Sequence, residues 1–228
     1  RSGDGGPVIA GVSTVATSAF MVMPSGDTAI RGASSGRGVF AGQDPSADSI
    51  DMIEIASTGN ATDFGDLTRN KQAVSGTASA SRGVVFGGYA SPAYYTDIDY
   101  ITVSSGGGAA EFGDLPTARG WSAACGDGIR GLVAGTWPGP AAVDFVNIAT
   151  TGDASNFGEL VVRPDSQGGT AVGHEITGGC SSPTRGIFGG GAHGTPSTTA
   201  VNLIQFISIQ SGGDSVKFGE LNNLSYGV

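Results

Sequence analysis

Residues 63–67, DFGDL, belong to a motif that recurs as EFGDL at 111–115, NFGEL at 156–160 and KFGEL at 217–221. A catalytic acid is needed at one position, whereas an acid copied into every repeat is typical of a scaffold. This Phe-Gly-acid-Leu motif therefore predicts an architecture rather than an active site. Its structural residues are Phe64, Phe112, Phe157, Phe218, Asp66, Asp114, Glu159 and Glu220.

Other residues recur at fixed distances from the phenylalanine of this motif. A glycine lies five residues earlier, a β-branched residue nine residues earlier, and an apolar segment such as IDYITV (98–103) ends there. An Arg-Gly motif precedes each apolar segment, and its arginines are Arg37, Arg82, Arg130 and Arg185. Because an arginine and an acid recur together, we expect an ion pair between them, repeated within or between the units.

A worn fifth copy is found at the N-terminus. PVIAG (7–11) resembles the end of the Arg-Gly motif, and TSAFMV (17–22) resembles the apolar segment. SGDTAIRG (25–32) resembles the turn before the motif phenylalanine, and Arg31 stands at the position of that phenylalanine. Five copies in 228 residues give about 46 residues each. The units span approximately 7–36, 37–81, 82–129, 130–184 and 185–228.

Each unit is expected to form four short strands. Strand A is the Arg-Gly motif, B the apolar segment, C the Phe-Gly-acid-Leu motif and D a segment such as AVSGTAS (73–79). Strand B is apolar on both faces, which favours burial between two layers. Four-stranded units of this length predict a single all-β domain over 1–228, a β-propeller with five blades and a degenerate N-terminal blade. An open β-solenoid, or part of a longer array, is the alternative.

Composition agrees with a folded, turn-rich β protein. The chain has 41 glycines, but only 14% of its residues are charged and 39% are apolar, unlike a disordered segment. Its net charge of −9 disfavours nucleic acid as a partner. No apolar run approaches the length of a membrane span. The chain begins without an initiator methionine or signal peptide, so we expect a fragment or a processed portion of a longer protein.

Candidate ligands for a metal or cofactor are few. The two histidines, His174 and His193, match no metal-ligand spacing. Cys125 and Cys180 each lie five residues before the arginine of an Arg-Gly motif, and equivalent positions of neighbouring units are usually too far apart for a disulfide. We therefore expect free thiols, no metal, no cofactor and no catalytic residues.

The loops that do not repeat point to one side of the molecule. The turns between strands B and C are near copies of one another, whereas the A–B and C–D connections vary and share one side of a propeller. Aromatic residues with polar neighbours on such loops are typical of binding surfaces. The candidate ligand-binding residues are Tyr89, Tyr94, Tyr95, Arg119, Trp121, Trp137, Arg163 and His193. Neutral drift of loop sequence is the alternative.

The segments STGNATDFGDL (57–67), SRGVVFGG (81–88) and IDYITV together resemble repeats in tail-fibre and other virion proteins of marine bacteriophages, cyanophages in particular. The resemblance covers residues 37–221 well and 7–36 weakly. It implies a kelch-like propeller on the virion surface, without enzymatic activity, used for attachment or decoration. The implied partners are other virion proteins, possible copies of itself in the particle, and a host-surface glycan.

The alternative function is a glycan-active hydrolase, since five-bladed propellers host such enzymes. A hydrolase needs two or three carboxylates that converge on one pocket. The unrepeated loop acids are scattered along the chain: Asp44, Asp97, Asp165 and Glu175.

Overall fold

The computed structural model describes residues 36–43, 46–136, 141–161, 174–175, 178–193 and 199–225. These residues form strands and turns, and none of them lies in a helix. The strand pairs formed by these residues are all antiparallel. The predicted all-β class is confirmed.

The strands form four main sheets that follow one another along the chain. The first contains β1 (Arg37–Gln43), β2 (Ala47–Glu54) and β3 (Thr62–Lys71). The second contains β4 (Ser75–Ala78), β5 (Arg82–Phe86), β8 (Asp97–Thr102) and β9 (Ala110–Asp114), with a small hairpin of β6 (Tyr89–Ala90) and β7 (Ala93–Tyr94) inserted. The third contains β10 (Ala123–Gly126), β11 (Arg130–Ala134), β12 (Ala142–Asn147) and β13 (Ser155–Glu159). The fourth contains β14 (His174–Glu175), β15 (Gly178–Ser181), β16 (Arg185–Gly189), β17 (Ala192–His193), β18 (Thr199–Ser208) and β19 (Val216–Ser225).

The second and third sheets have the strand order D-A-B-C. Strand D therefore pairs with the strand A that follows it in the chain, as β4 does with β5. A short turn joins them, in which the amide of Ser79 donates to the carbonyl of Arg82 at 2.8 Å. Each of these sheets thus runs from the end of one sequence unit into the next.

Neighbouring sheets pack face to face in chain order. We call the face that packs on the next sheet the forward face, and the opposite one the backward face. Ile50 and Phe64 on the forward face of the first sheet contact Ile101 and Val103 on the backward face of the second. The same positions meet at the next two interfaces. Strand B of the second sheet is buried on both faces, as predicted.

Strand C of each of the first three sheets binds the B–C turn of the next sheet. The carbonyl of Phe112 accepts a hydrogen bond from the amide of Gly152 at 2.7 Å, and that of Asp114 from Ala154 at 2.8 Å. The same two bonds form from 64–66 to 107–109 and from 157–159 to 213–215. A Cβ at Gly113 would overlap the backbone of Gly152. In the first three sheets the motif therefore connects one sheet to the next: its apolar residues are buried, and its glycine leaves room for the neighbouring turn.

The prediction that the arginines of strand A form ion pairs with the acids of strand C is wrong for Arg82 and Arg130. The guanidinium of Arg82 stacks on Tyr100, 4.4 Å from the ring centroid, and donates to the carbonyls of Ile148 and Ala149 at 3.1 and 3.0 Å. Arg130 donates in the same way to the end of strand B in the fourth sheet. The acids are exposed on the outer strands, whereas the guanidinium groups reach carbonyls where a neighbouring strand ends.

Arg37 follows the same pattern with one addition. It donates to the carbonyls of Val103 and Ser104 at 2.8 and 3.1 Å, and its Nε binds Glu54 rather than Asp66 at 3.1 Å. Arg37, Arg82 and Arg130 therefore join sheets through backbone carbonyls, and this contact does not need the acid of strand C.

Candidate functional site

Three aromatic side chains from loops that do not repeat meet on the second sheet. Tyr89 and Tyr94 lie on the hairpin β6–β7, and Trp121 lies in the connection between β9 and β10. The ring centroids are 4.9 Å apart for the tyrosine pair, 5.3 Å for Tyr89 and Trp121, and 5.9 Å for Tyr94 and Trp121. We call these three residues the aromatic cluster.

Backbone hydrogen bonds fix the aromatic cluster to the sheets below. Tyr89 and Gln72 exchange two amide–carbonyl bonds of 2.8 Å, which tie the hairpin to the chain just after β3. The amide of Trp121 donates to the carbonyl of Ala73 at 3.1 Å. Tyr89 and Trp121 are therefore both anchored to the same short segment.

Trp121 is held in an unusual backbone conformation. Its φ is +50°, and that of Ala73, its hydrogen-bond partner, is +54°. A non-glycine residue in this left-handed region costs about 1–3 kcal/mol and persists where the surrounding structure determines it, often at functional sites. Trp121 is nevertheless 39% exposed as a residue. The strain thus presents a large aromatic surface to solvent.

A charged pair contacts Tyr95, the residue that follows Tyr94 in the chain. The guanidinium of Arg69 sits over the ring of Tyr95, 4.7 Å from its centroid, and its Nε lies 2.6 Å from Oδ2 of Asp97. The Arg69 side chain is 49% exposed. Tyr95, the exposed guanidinium of Arg69 and the carboxylate of Asp97 thus form a polar group that begins one residue after Tyr94 in the chain.

Arg119 is not on the exposed loop surface where the sequence places it. Its side chain is fully buried, and its guanidinium forms an ion pair with Asp144 of the third sheet. Its amide donates to the carbonyl of Tyr95 at 3.1 Å, and its carbonyl accepts from Gly88 at 2.8 Å. Arg119 therefore supports the hairpin from below and does not contact a ligand at the surface.

Burial perturbs both groups of this pair. Desolvation lowers the pKa of Arg119, and the nearby Asp144 carboxylate opposes that shift. Desolvation raises the pKa of Asp144, against the attraction of Arg119. The pair is a structural contact between two sheets.

An equivalent pair joins the first sheet to the second. Lys71 Nζ lies 2.8 Å from Asp99 Oδ2, both side chains are fully buried, and Thr68 donates to the other carboxylate oxygen at 2.7 Å. Lys71 and Arg119 each lie seven residues after the motif phenylalanine of their own repeat. Asp99 and Asp144 each lie thirteen residues before the motif phenylalanine of the next repeat.

At the third interface this position carries Gln205, which accepts a hydrogen bond from the amide of Val161 at 2.8 Å. The position seven residues after Phe157 is Pro164, which has no charge to pair. An acid in an otherwise apolar strand, with a cation at a constant offset, is a sequence signal that predicts these pairs. The loop pattern instead predicts Arg119 on the variable surface.

The remaining candidates fall on parts of the chain that are not described. Trp137 and Arg163 lie outside the described residues, and for His193 only the backbone in β17 is described. Among the candidates that are described, the structure brings Tyr89, Tyr94 and Trp121 together. Tyr95 lies next to them in the chain and meets Arg69.

Within the described ranges, no group of three or more His, Cys, Asp or Glu side chains is placed to hold a metal ion. Cys125 and Cys180 are free thiols, and burial raises the pKa of Cys125 above its usual range. The part of the chain that the structure describes contains no helix long and apolar enough to cross a membrane.

No protein-family model matches the chain, and no curated protein matches its sequence. The function is therefore inferred from the aromatic cluster, the repeats and the sequence resemblance.

Proposed function

We propose that this protein is a non-enzymatic virion module that binds a host-surface glycan through the aromatic cluster. The observation that carries the proposal is the meeting of Tyr89, Tyr94 and Trp121, which come from two separate loops outside the repeat pattern. Most other large apolar side chains of the described residues are buried between sheets.

The chemistry of the cluster suits a sugar. Pyranose rings have an apolar face of C–H groups that stacks on aromatic rings, while their hydroxyls need hydrogen-bonding partners at the edge. Trp121 offers the exposed ring, and the proposed donor and acceptor for the hydroxyls are Arg69, which contacts Tyr95, and Asp97. Because the cluster is anchored by backbone bonds, it is preorganised, which reduces the entropy lost on binding.

The proposed scaffold is a five-bladed, kelch-like β-propeller. Four described sheets follow one another with the same contacts at each interface, and the D strands β4, β10 and β15 pack side by side. A contact repeated head to tail generates a ring when the rotation closes, and an open array when it does not. The worn N-terminal copy supplies the fifth blade.

The virion setting rests on the sequence resemblance to phage tail-fibre repeats. Other virion proteins are then partners of the surfaces that face away from the aromatic cluster.

Glycan binding is tested by screening the protein on an array of bacterial surface glycans and measuring affinity for the best ligand by titration calorimetry. We expect Trp121→Ala and Tyr94→Ala to weaken binding at least about tenfold, as is usual for aromatic anchors. Ile129→Ala is the matched control, because Ile129 is 65% exposed and lies at the opposite end of β10.

Equal losses in Trp121→Ala and Ile129→Ala would contradict the assignment of the site. A parent protein that binds no glycan, with Trp121 buried against another protein in the assembled particle, would favour a role in virion assembly. Circular dichroism of each variant checks that the sheets remain folded.

A further inference from the structure

The forward face of the fourth sheet is open in the part of the chain that the structure describes. Its apolar side chains line a cavity of about 260 Å³ that includes Cys180, Ile187, Ile204 and Leu221. The equivalent residues of the third sheet are buried against the fourth: Cys125, Leu132, Val143 and Leu160. Phe218 is 55% exposed, whereas its equivalent Phe157 is 8% exposed.

The third interface shows what a partner for this face must supply. Phe188, Ile207 and Ile209 on the backward face of the fourth sheet cover the third, and the turn at Gly213 binds the carbonyl of Phe157 at 2.9 Å. A segment that covers the fourth sheet in the same way needs three apolar side chains at those positions and a Gly-containing turn.

The N-terminal repeat matches this pattern on one face only. When Arg31 is aligned with the motif phenylalanines, Phe20 and Val22 fall at the positions of Ile207 and Ile209. When PVIAG (7–11) is aligned with the end of the Arg-Gly motif, Ile9 falls at the position of Phe188. The positions of its other face have lost their apolar residues. There, Thr17, Arg31 and Ser34 replace the Ile or Val, Phe and Leu of the other copies.

The turn of this repeat matches as well. Gly26 and Asp27 align with Gly152–Asp153 and Gly213–Asp214. In those turns the amide of the glycine donates to the carbonyl of the motif phenylalanine in the preceding sheet. The aspartate side chain accepts a hydrogen bond from the amide of the motif acid, two residues after that phenylalanine. Gly219, which follows Phe218, has no described atom within 4 Å of the place where a Cβ would stand.

We infer that residues 7–32 dock on the open forward face of the fourth sheet and bury it as the fourth sheet buries the third. Ile9, Phe20 and Val22 cover the apolar cavity, and the turn at Gly26 binds strand C at Phe218. The segment is tethered to the same chain, so its effective concentration favours it over a second copy. This contact extends the proposed fold and does not depend on glycan binding by the aromatic cluster.

Disulfide trapping in the full chain tests the contact. In Asp27→Cys/Glu220→Cys, we expect an intramolecular disulfide after oxidation with diamide, detected by peptide mapping. The positive control is Asp214→Cys/Glu159→Cys, because Oδ1 of Asp214 lies 3.0 Å from the amide nitrogen of Glu159. The negative control is Met21→Cys/Glu220→Cys, because position 21 aligns with exposed residues of strand B.

A disulfide between two chains would show that a second copy covers the face, and would overturn the inference. No disulfide in the test pair, while the positive control forms one, would overturn it too. Trapping reports only on this contact, so its failure leaves the glycan test unaffected.

Alkylation of Cys180 gives a second measurement that needs no new cysteine. Phe20→Asp places a charge in the proposed contact, and we expect it to raise the rate of Cys180 alkylation about tenfold or more by opening the face. Met21→Asp is the matched control and should leave the rate unchanged. Cys125 is fully buried and serves as the internal reference. Equal rates in the parent and both variants would mean that residues 7–32 do not cover the face.

Discussion

The pair of Arg119 and Asp144 shows how one buried contact serves both the fold and the candidate site. Both side chains are almost completely buried, so neither can lose its partner without leaving a charge in an apolar setting. The backbone of Arg119 also binds Tyr95 and Gly88 on either side of the hairpin that carries the tyrosines. The position of the aromatic cluster therefore depends on an ion pair that never reaches the surface.

Removing the guanidinium of Arg119 should make the free energy of unfolding depend on pH. Arg119→Met takes away the group that holds down the pKa of Asp144, which burial already raises. A carboxyl whose pKa is raised in the folded state contributes stability at low pH, and that contribution is lost as pH rises through the folded pKa. We expect a loss of about 3–5 kcal/mol near pH 8 and a smaller one near pH 4.

Urea unfolding of the parent and of Arg119→Met at several pH values measures this difference. The double variant Arg119→Met/Asp144→Asn is the control, because it has no carboxyl to titrate at this position. A loss in Arg119→Met that does not change with pH would show that Asp144 stays ionised or is rehydrated.

At the scale of the strand, the Phe-Gly-acid-Leu motif acts as a connector through its backbone. The carbonyls of Phe157 and Glu159 accept hydrogen bonds from the B–C turn of the fourth sheet, and Gly158 lies directly under the carbonyl of Gly213. The acid side chain points outward. What recurs at that position is an exposed acid on an outer strand.

Gly158→Ala should weaken the contact between the third and fourth sheets. The added methyl group would overlap the backbone of Gly213, which cannot move without breaking two hydrogen bonds. We expect a decrease of about 1–3 kcal/mol in the free energy of unfolding, as for other overpacked sites. Gly189→Ala is the matched control, since a Cβ there would lie 3.9 Å from its nearest neighbour, a side-chain atom of Ile204, and alanine occupies the equivalent positions 41 and 134. A similar loss in both variants, measured by thermal unfolding, would contradict the role given to Gly158.

The repeat offsets predicted the strands because each offset reflects a local requirement: an apolar strand, a turn and a buried aromatic residue. The partners of Arg82 could not be predicted in this way. Backbone carbonyls have no sequence signature, and the next sheet supplies them 66 and 67 residues away. For Trp121 the loop was predicted from its variability, whereas its left-handed backbone depends on a hydrogen bond to Ala73 that only the folded chain brings into place.

For the whole molecule, the two ends of the described array are complementary. On the backward face of the first sheet, Ile55 is 42% exposed, while its equivalents Val103, Ile148 and Ile209 are fully buried. The forward face of the fourth sheet is open in the same way. A stack of identical interfaces leaves one such face at each end, and a fifth unit between them would close a ring.

A substitution of Gly219, the glycine of the last Phe-Gly-acid-Leu motif, tests whether another segment covers strand C of the fourth sheet. If residues 7–32 dock on the fourth sheet, the turn at Gly26 lies against Gly219 as Gly213 lies against Gly158. We therefore expect Gly219→Ala to destabilise the full chain by about 1–3 kcal/mol, close to the effect of Gly158→Ala. Thermal unfolding of both variants beside the parent measures this, with Gly189→Ala again as the control. If Gly219→Ala unfolds at the same temperature as the parent while Gly158→Ala does not, the outer strand of the fourth sheet is bare and the array is open at that end.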